Sequence, residues 1–425
     1  MKKQILYMLC ATALLSSCHI YKSYDRPEDI TTSGLYRDPV ADNDTLVSDT
    51  TNFGNLPWRE VFTDPQLQSL IEAGLNQNTD LLSAAQNVKA AQASLMSARL
   101  AYAPSLGLSP QGTISSFDKN AATKTYSLPV TASWQVDLFG QLLNSKRNAQ
   151  VTLKQVKAYR QAVQTQVISN VANMYYTLLM LDRQLEITKE TAEILKRNAE
   201  TMEAMKDAAM YNINSAGVEQ SKAAYAQVLP TELSAGIPIQ LLSNRPDVKA
   251  AEMSLASCYY NTNSARAAFY PQITLSGSAG WTNNSGAGIV NPGKLLASVV
   301  GSLTQPLFYR GQNIARLKAA KAQEEQAKLS FQQALLNAGS EVSNALSLYQ
   351  KTSEKVESRK MQVESAQKAS EDTKELFNLG TSTYLEVLSA QQSYLSAQLS
   401  QVSDCFDQMQ AVVSLYQALG GGREE

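Results

Sequence analysis

"NTDLLSAAQNVKAAQASLMSARLAYAPSLGLS" (Asn78–Ser109) and "RPDVKAAEMSLASCYYNTNSARAAFYPQITLS" (Arg245–Ser276) align without a gap at an offset of 167 residues. Asp80 falls on Asp247, Arg99 on Arg266, Pro104 on Pro271 and Ser109 on Ser276. Each copy is a helical pattern that ends in Ser-Ala-Arg, an aromatic and a proline, and then alternates. The period changes from 3.6 to 2 at the same place in both, so the chain is a duplication of one helix-to-strand unit.

The alternating stretches are the next clue. "SLPVTASWQVDL" (Ser127–Leu138) puts Leu128, Val130, Ala132, Trp134, Val136 and Leu138 on one face and Thr131, Ser133, Gln135 and Asp137 on the other. "PQITLSGSAGW" (Pro271–Trp281) sets Ile273, Leu275, Ala279 and Trp281 against Gln272, Thr274, Ser276 and Ser278. Weaker alternation over Ser105–Ile114 and Val299–Phe308 brings the number to four strands. Each is about ten residues long, the length a tilted strand needs to cross a bilayer. Alternation alone also fits a half-buried strand of a soluble sandwich. Hydroxyls and amides on the polar faces, and aromatics gathered at the strand ends, favour the membrane. Four strands cannot close a barrel, and an open edge in lipid leaves backbone groups unpaired at several kcal/mol each. Several chains must then share one barrel; three would give twelve strands around a polar lumen.

Two long segments without proline follow the strand pairs, the first of them without glycine as well. From Gln141 to Tyr211, apolar or small residues recur at steps of four and three (Val167, Val171, Met174, Leu178, Leu181, Leu185, Thr188, Ala192, Leu195, Ala199, Met202). From Gly311 to Leu379, Leu335, Val342, Tyr349, Val356 and Val363 stand seven apart. Both read as helices of roughly 100 Å with a coiled-coil-like seam. With 37 basic and 38 acidic residues there is no charge field for nucleic acid, which is excluded as a partner. The N-terminus has a basic start, an apolar run Ile5–Leu15 and then "LSSC", the pattern of a lipoprotein signal that leaves an acylated Cys18 as the first mature residue. The other cysteines, Cys10, Cys258 and Cys405, have no metal-ligand or disulfide spacing.

Two bends remain. "FNLGTSTYLEVLSAQQSYL" (Phe377–Leu395) interrupts the second long helix with Gly-Thr-Ser-Thr and then places one acid, Glu386. "YNINSAGVEQSKAAYAQV" (Tyr211–Val228) has a similar bend, with Asn214 and Ser215 in it and Glu219 after it.

These residues resemble one family, the TolC-type outer-membrane efflux channels in their lipoprotein branch. The match rests on Cys18 with "YDRP" (Tyr24–Pro27), "WREVFTDPQLQSLIEAGLNQNTDL" (Trp58–Leu81), "WQVDLFG", "NRPDVKAAE" (Asn244–Glu252), "ARAAFYPQITLSGS", "TQPLFYRG" and the bend at Gly380. The resemblance implies a mostly α chain with a membrane β-barrel contribution, made of a duplicated helix, β-hairpin and long helical hairpin. It implies a homotrimer whose twelve-stranded barrel continues into a periplasmic α-helical barrel. A periplasmic adaptor would dock at the tip turns (Gly380, Thr381, Ser382, Asn214, Ser215), and an inner-membrane pump would supply energy. Glu386 would project into the periplasmic gate, with Glu219 in the matching place of the other bend. Ser389 stands where a second acid is often found, so a ring would carry three charges; three carboxylates in a constriction favour cations. Phe377 replaces an aromatic that latches the gate through a hydroxyl, and Ser382 replaces a basic residue. From the residues alone, Glu386 also fits a solvated acid at a helix N-terminus.

The implied organisation is a signal peptide over 1–17, a lipid-anchored extended segment over 18–60, and two repeats. The first, 61–244, has strands about 104–139, a long helix 141–211 and a shortened return helix 218–228. The second, 245–425, has a helix 246–269, strands about 271–308, a long helix 311–379 and a return helix 382–419. After Val228 the proline- and glycine-bearing "LPTELSAGIP" stands where the family continues its return helix for about 40 more residues. Residues 212–244 must bridge roughly 70 Å, and as helix they cover only about 50 Å. The reading is therefore a passive exit channel of a tripartite efflux system. The alternatives are a lipid-anchored periplasmic coiled-coil protein without a pore and a non-functional deletion variant. No catalytic constellation, cofactor or metal site is expected: the single histidine, His19, adjoins the lipidated cysteine, and no phosphate-cradling loop is present.

Overall fold

A computed structural model describes residues 21–27, 30, 53–116, 122–208, 245–283 and 294–422. Its helices are α1 (Trp58–Val61), α2 (Pro65–Gln77), α3 (Thr79–Leu100), α4 (Gln141–Ala208), α5 (Pro246–Ala267), α6 (Gln312–Asn378) and α7 (Tyr384–Ala418). Its strands are β1 (Ser105–Leu108), β2 (Gln111–Ser115), β3 (Thr123–Val136), β4 (Gln272–Asn283) and β5 (Lys294–Thr304). α3 and α5 begin and end 167 residues apart, as do the starts of β1 and β4. No described helix is long and apolar enough to cross a membrane. The chain divides into two compact units. One holds Met1–Thr31, Ala84–Tyr159 and Lys249–Ala334; the other holds Thr32–Ser83, Arg160–Val248 and Leu335–Glu425.

The first unit is built on an antiparallel sheet in the order β1-β3-β4-β5, with β2 also paired to β3. β1 and β2 share one register against β3 (Leu108 opposite Val130, Gln111 opposite Ser127) and act as one strand. The break between them falls at Pro110, which has no N–H to give the ladder. The fourth strand starts and ends earlier than the alternation of Val299–Phe308 suggests, because Gln305-Pro306 stops it after Thr304. Register sorts the side chains into two faces across all four strands. Leu106, Ala132, Gly277 and Val299 stand in one row, and Leu108, Val130, Ala279 and Ala297 in another. Between them run Gly107, Thr131, Ser278 and Ser298, with the two serine hydroxyls 2.7 Å apart. The apolar face is uncovered: Leu106 is 75% exposed and Val299 86%.

Below the sheet, Phe139 stacks on Tyr270 with centroids 4.9 Å apart, and Trp134 Nε1 donates to the Tyr102 carbonyl at 2.9 Å. Asp137 Oδ2 accepts from the Leu143 N–H at 2.8 Å, which caps α4 where it leaves the strand. The N-terminal strap is held by Arg26, bidentate to Glu252 at 2.9 and 2.8 Å, and by the Tyr24 N–H on the Tyr260 hydroxyl at 3.1 Å.

The second unit packs around Tyr416, fully buried between Phe53 and Phe62 in edge contacts of 5.8 and 5.7 Å. Leu67, Ile71, Ile168, Val342 and Leu415 complete this core. The segment 18–60, read as extended, is not so at its end: Phe53–Asn55 turns, α1 starts at Trp58, and Phe53 is core. Apolar Phe53, Leu56 and Trp58 gain more from packing there than from an extended path in water. Gly421 leaves no room for a side chain, since an added Cβ would sit 2.3 Å from the Tyr416 ring. Arg245, nearly buried, donates to the Ala418 carbonyl at 2.7 Å, to both carboxylate oxygens of Asp247 and to Glu341.

The seam of α4 is covered only at its start. Val167 is buried and Val171 packs on the core, as do Ile168, Ala172 and Tyr176 beside them, whereas Met174, Leu178, Leu181 and Leu185 farther along the seam are more than half exposed. Within one chain the described residues leave that part of the seam uncovered.

Candidate functional site

The bend after α6 is built from two local motifs back to back. At the end of α6 the Gly380 N–H donates to the Phe377 carbonyl and the Thr381 N–H to the Leu376 carbonyl, both at 2.9 Å. This is a Schellman stop, and Gly380 takes the left-handed conformation it requires, with φ at +76° and nothing within 4 Å of where a Cβ would be. Thr383 then caps α7. The Glu386 N–H donates to Thr383 Oγ1, and Glu386 Oε2 accepts from the Thr383 N–H at 2.6 Å, a complete capping box. Ser382 Oγ donates to the same carboxylate oxygen at 2.7 Å. Phe377 and Tyr384 close the bend from inside, centroids 5.8 Å apart.

Glu386 therefore has a local structural duty. Its side chain is exposed, and the Thr383 N–H, followed by the Ser382 hydroxyl, holds its carboxyl below the usual 4.5, so it stays charged at neutral pH. Ser389, three residues on, lies exposed on the same side of α7. Leu376, Leu379 and Leu385 ring the bend and are 47%, 69% and 75% exposed. Thr383 was missed by sequence reasoning, although Thr-x-x-Glu before an apolar run is the legible signature of a capping box. Cys18, Asn214, Ser215 and Glu219 lie outside the described residues.

Farther along the hairpin, α6 and α7 are joined by a buried charge. Asp404 is 3% exposed and receives Lys355 Nζ at 2.6 Å and Arg359 Nε at 2.7 Å. Burial alone would raise its carboxyl, but the two cations outweigh it and hold it below 3.8.

A sheet with one apolar and one hydroxylic face, continued by long helices and a capped helical hairpin, defines a class: outer-membrane channels whose barrel is continued by helices. The chain belongs to the outer membrane efflux protein family, whose sequence model matches residues 70–208 and 237–421. It is 26% identical to the cation efflux system protein CusC of Escherichia coli K12, over 97% of this chain and 98% of the relative. It is 27% identical to the solvent efflux pump outer membrane protein SrpC of Pseudomonas putida, over 86% and 87% of the two chains. A crystal structure of CusC superposes with a TM-score of 0.80 at 25% identity, covering 95% of this chain and all of that one. The open state of the MtrE outer membrane channel of Neisseria gonorrhoeae gives 0.76 at 26% identity. The protein is thus an outer-membrane efflux channel, mostly helical with a β-barrel contribution. The family match breaks between residues 208 and 237, a stretch that includes Asn214, Ser215 and Glu219. The alignment with CusC runs over 453 positions against the 425 residues of this chain, so the relative carries residues that have no counterpart here.

Proposed function

We propose that three copies of the chain form one passive exit duct that takes substrates from a periplasmic adaptor and an inner-membrane pump to the exterior. The observation that carries this is the sheet: four strands wide, apolar on one face, hydroxylic on the other, with no strand paired to the outer side of β1, β2 or β5 among the described residues. In lipid such edges have to be paired, and further copies supply the pairing. The uncovered stripe Met174–Leu185 on α4 is a second surface that association would bury. Purified protein in mild detergent should run as a heat-labile trimer and give stepwise conductance in planar bilayers. A water-soluble monomer without conductance overturns the reading.

At the adaptor end, the turn Gly380, Thr381 and Ser382 with its three exposed leucines is the docking surface, and Asn214 and Ser215 are its counterpart in the first bend. Glu386, the ring acid, and Ser389 face the aperture; Glu219 adds charge from the other bend. Phe377 packs the bend from inside instead of latching it through a hydroxyl. Acylation of Cys18 anchors the chain to outer-membrane lipid. Metabolic labelling with palmitate, abolished in Cys18→Ser, checks the anchor.

A further inference from the structure

A cavity of about 310 Å³ in the second unit lies between α4 and α7, and its wall includes Met180, Cys405 and Met409, with Tyr176 and Phe406 beside them. The two helices run antiparallel and are tied at both ends of this stretch, by Asn198 Nδ2 donating to Gln391 Oε1 and by Gln417 Nε2 donating to Gln166 Oε1. Between those ties α4 brings Met180, and α7 brings Cys405 and Met409, to the wall of the one cavity. Cys405 is one turn from Met409 on the same face of α7.

The donor set is distinctive. Three sulfurs share one enclosure, and no carboxylate or imidazole lines it. Among the described residues no cluster of His, Cys, Asp and Glu could hold a metal ion, so oxygen- and nitrogen-seeking cations find no competing site there. Thioether and thiolate are soft ligands, and they select Cu(I) and, by the same softness, Ag(I) over hard cations. Charge favours a monovalent ion as well. When Cys405 gives up its proton, one negative charge meets one positive, and the occupied site is neutral in a poorly solvated wall. Arg183, the one cation on that wall, is already paired with Glu186.

We propose that Met180, Cys405 and Met409 form a binding site for a soft monovalent metal ion, Cu(I) or Ag(I). Binding forms a metal–sulfur bond at Cys405 and releases its proton to solvent; the thioethers coordinate without losing a group, and nothing is oxidised or reduced.

The test is titration of the full-length lipidated protein in detergent, in a Cys258→Ser background, with silver nitrate in chloride-free buffer. The expected result is one Ag(I) per chain with one proton released, lost in Cys405→Ser. Met180→Leu with Met409→Leu conserves volume and should keep the fold. It should nevertheless weaken Ag(I) by about tenfold or more, the scale on which even outer-shell changes act. X-ray absorption of the bound ion should show sulfur neighbours only. Unchanged affinity in the double leucine variant means that the thiol alone binds and the methionines merely fill space; that result overturns the proposal, as does Zn(II) binding as tightly or no binding at all. The site does not rest on the pore: protein that fails to conduct but binds one Ag(I) through all three sulfurs keeps it.

Discussion

Glu386 holds together two arguments that substitutions can separate. Glu386→Gln preserves the N3 partner of the capping box while deleting the charge. Cation preference in single-channel recordings should therefore fall with the bend intact, and unchanged selectivity would remove Glu386 from the aperture. Thr383→Ala does the reverse. It should cost about 1 kcal/mol at the start of α7 and speed amide exchange over residues 384–387, leaving the charge in place. Because the folded carboxyl is held below 4.5, the contribution of the box is complete at neutral pH and is lost only as pH falls through that lowered value. The protection factor of the tip amides, which is exchange corrected for its intrinsic pH dependence, should stay flat from neutral pH and fall only below pH 4.5. The Gly-Thr-Ser-Thr bend and its acid were legible in the sequence, because stop and cap are both local chemistry. That the serine beside the cap binds the same carboxylate was not, since hydroxyl direction follows from the turn and not from the residue type.

At the scale of elements, backbone approach decides more than side-chain preference. An added Cβ at Gly280 would lie 2.2 Å from the Leu128 carbonyl oxygen, next to Pro129 on the neighbouring strand. Gly280→Ala should therefore separate β3 from β4, and the heat-labile trimer in membrane extracts should largely vanish while the chain is still made. In the helical hairpin, Asp404→Asn leaves Lys355 and Arg359 without their shared acid. Both cations can still reach water, so the expected loss is about 1–3 kcal/mol, read as faster proteolysis between α6 and α7. The paired strands were recognisable from alternation, but their ends followed the prolines at 110 and 306. The covered and uncovered apolar residues of α4 were not separable in advance. Both recur with helical spacing, and only packing shows that Val167, Val171, Ile168, Ala172 and Tyr176 are covered while the seam from Met174 to Leu185 is not.

The whole molecule is a duplication that has diverged where the copies meet different surroundings. Asn78, in the first copy, accepts the Leu81 N–H at 2.9 Å and caps α3. Its counterpart 167 residues on is Arg245, which instead ties Asp247, Glu341 and the Ala418 carbonyl together. Arg245→Ala should loosen the C-terminal end of α7, because three acceptors lose one buried donor. A drop in the melting temperature of the trimer, larger than for Asn78→Ala, checks this. The sequence by itself determined the repeat, the change from helix to strand, the two-faced strands and the bend, since each is periodicity or local hydrogen bonding within a few residues. Only the tertiary structure decided which helix face is covered, where Arg245 and Asp404 find their partners, and that two methionines and a cysteine share one cavity. Those outcomes depend on how segments well separated in the chain pack together, and no local pattern encodes that packing.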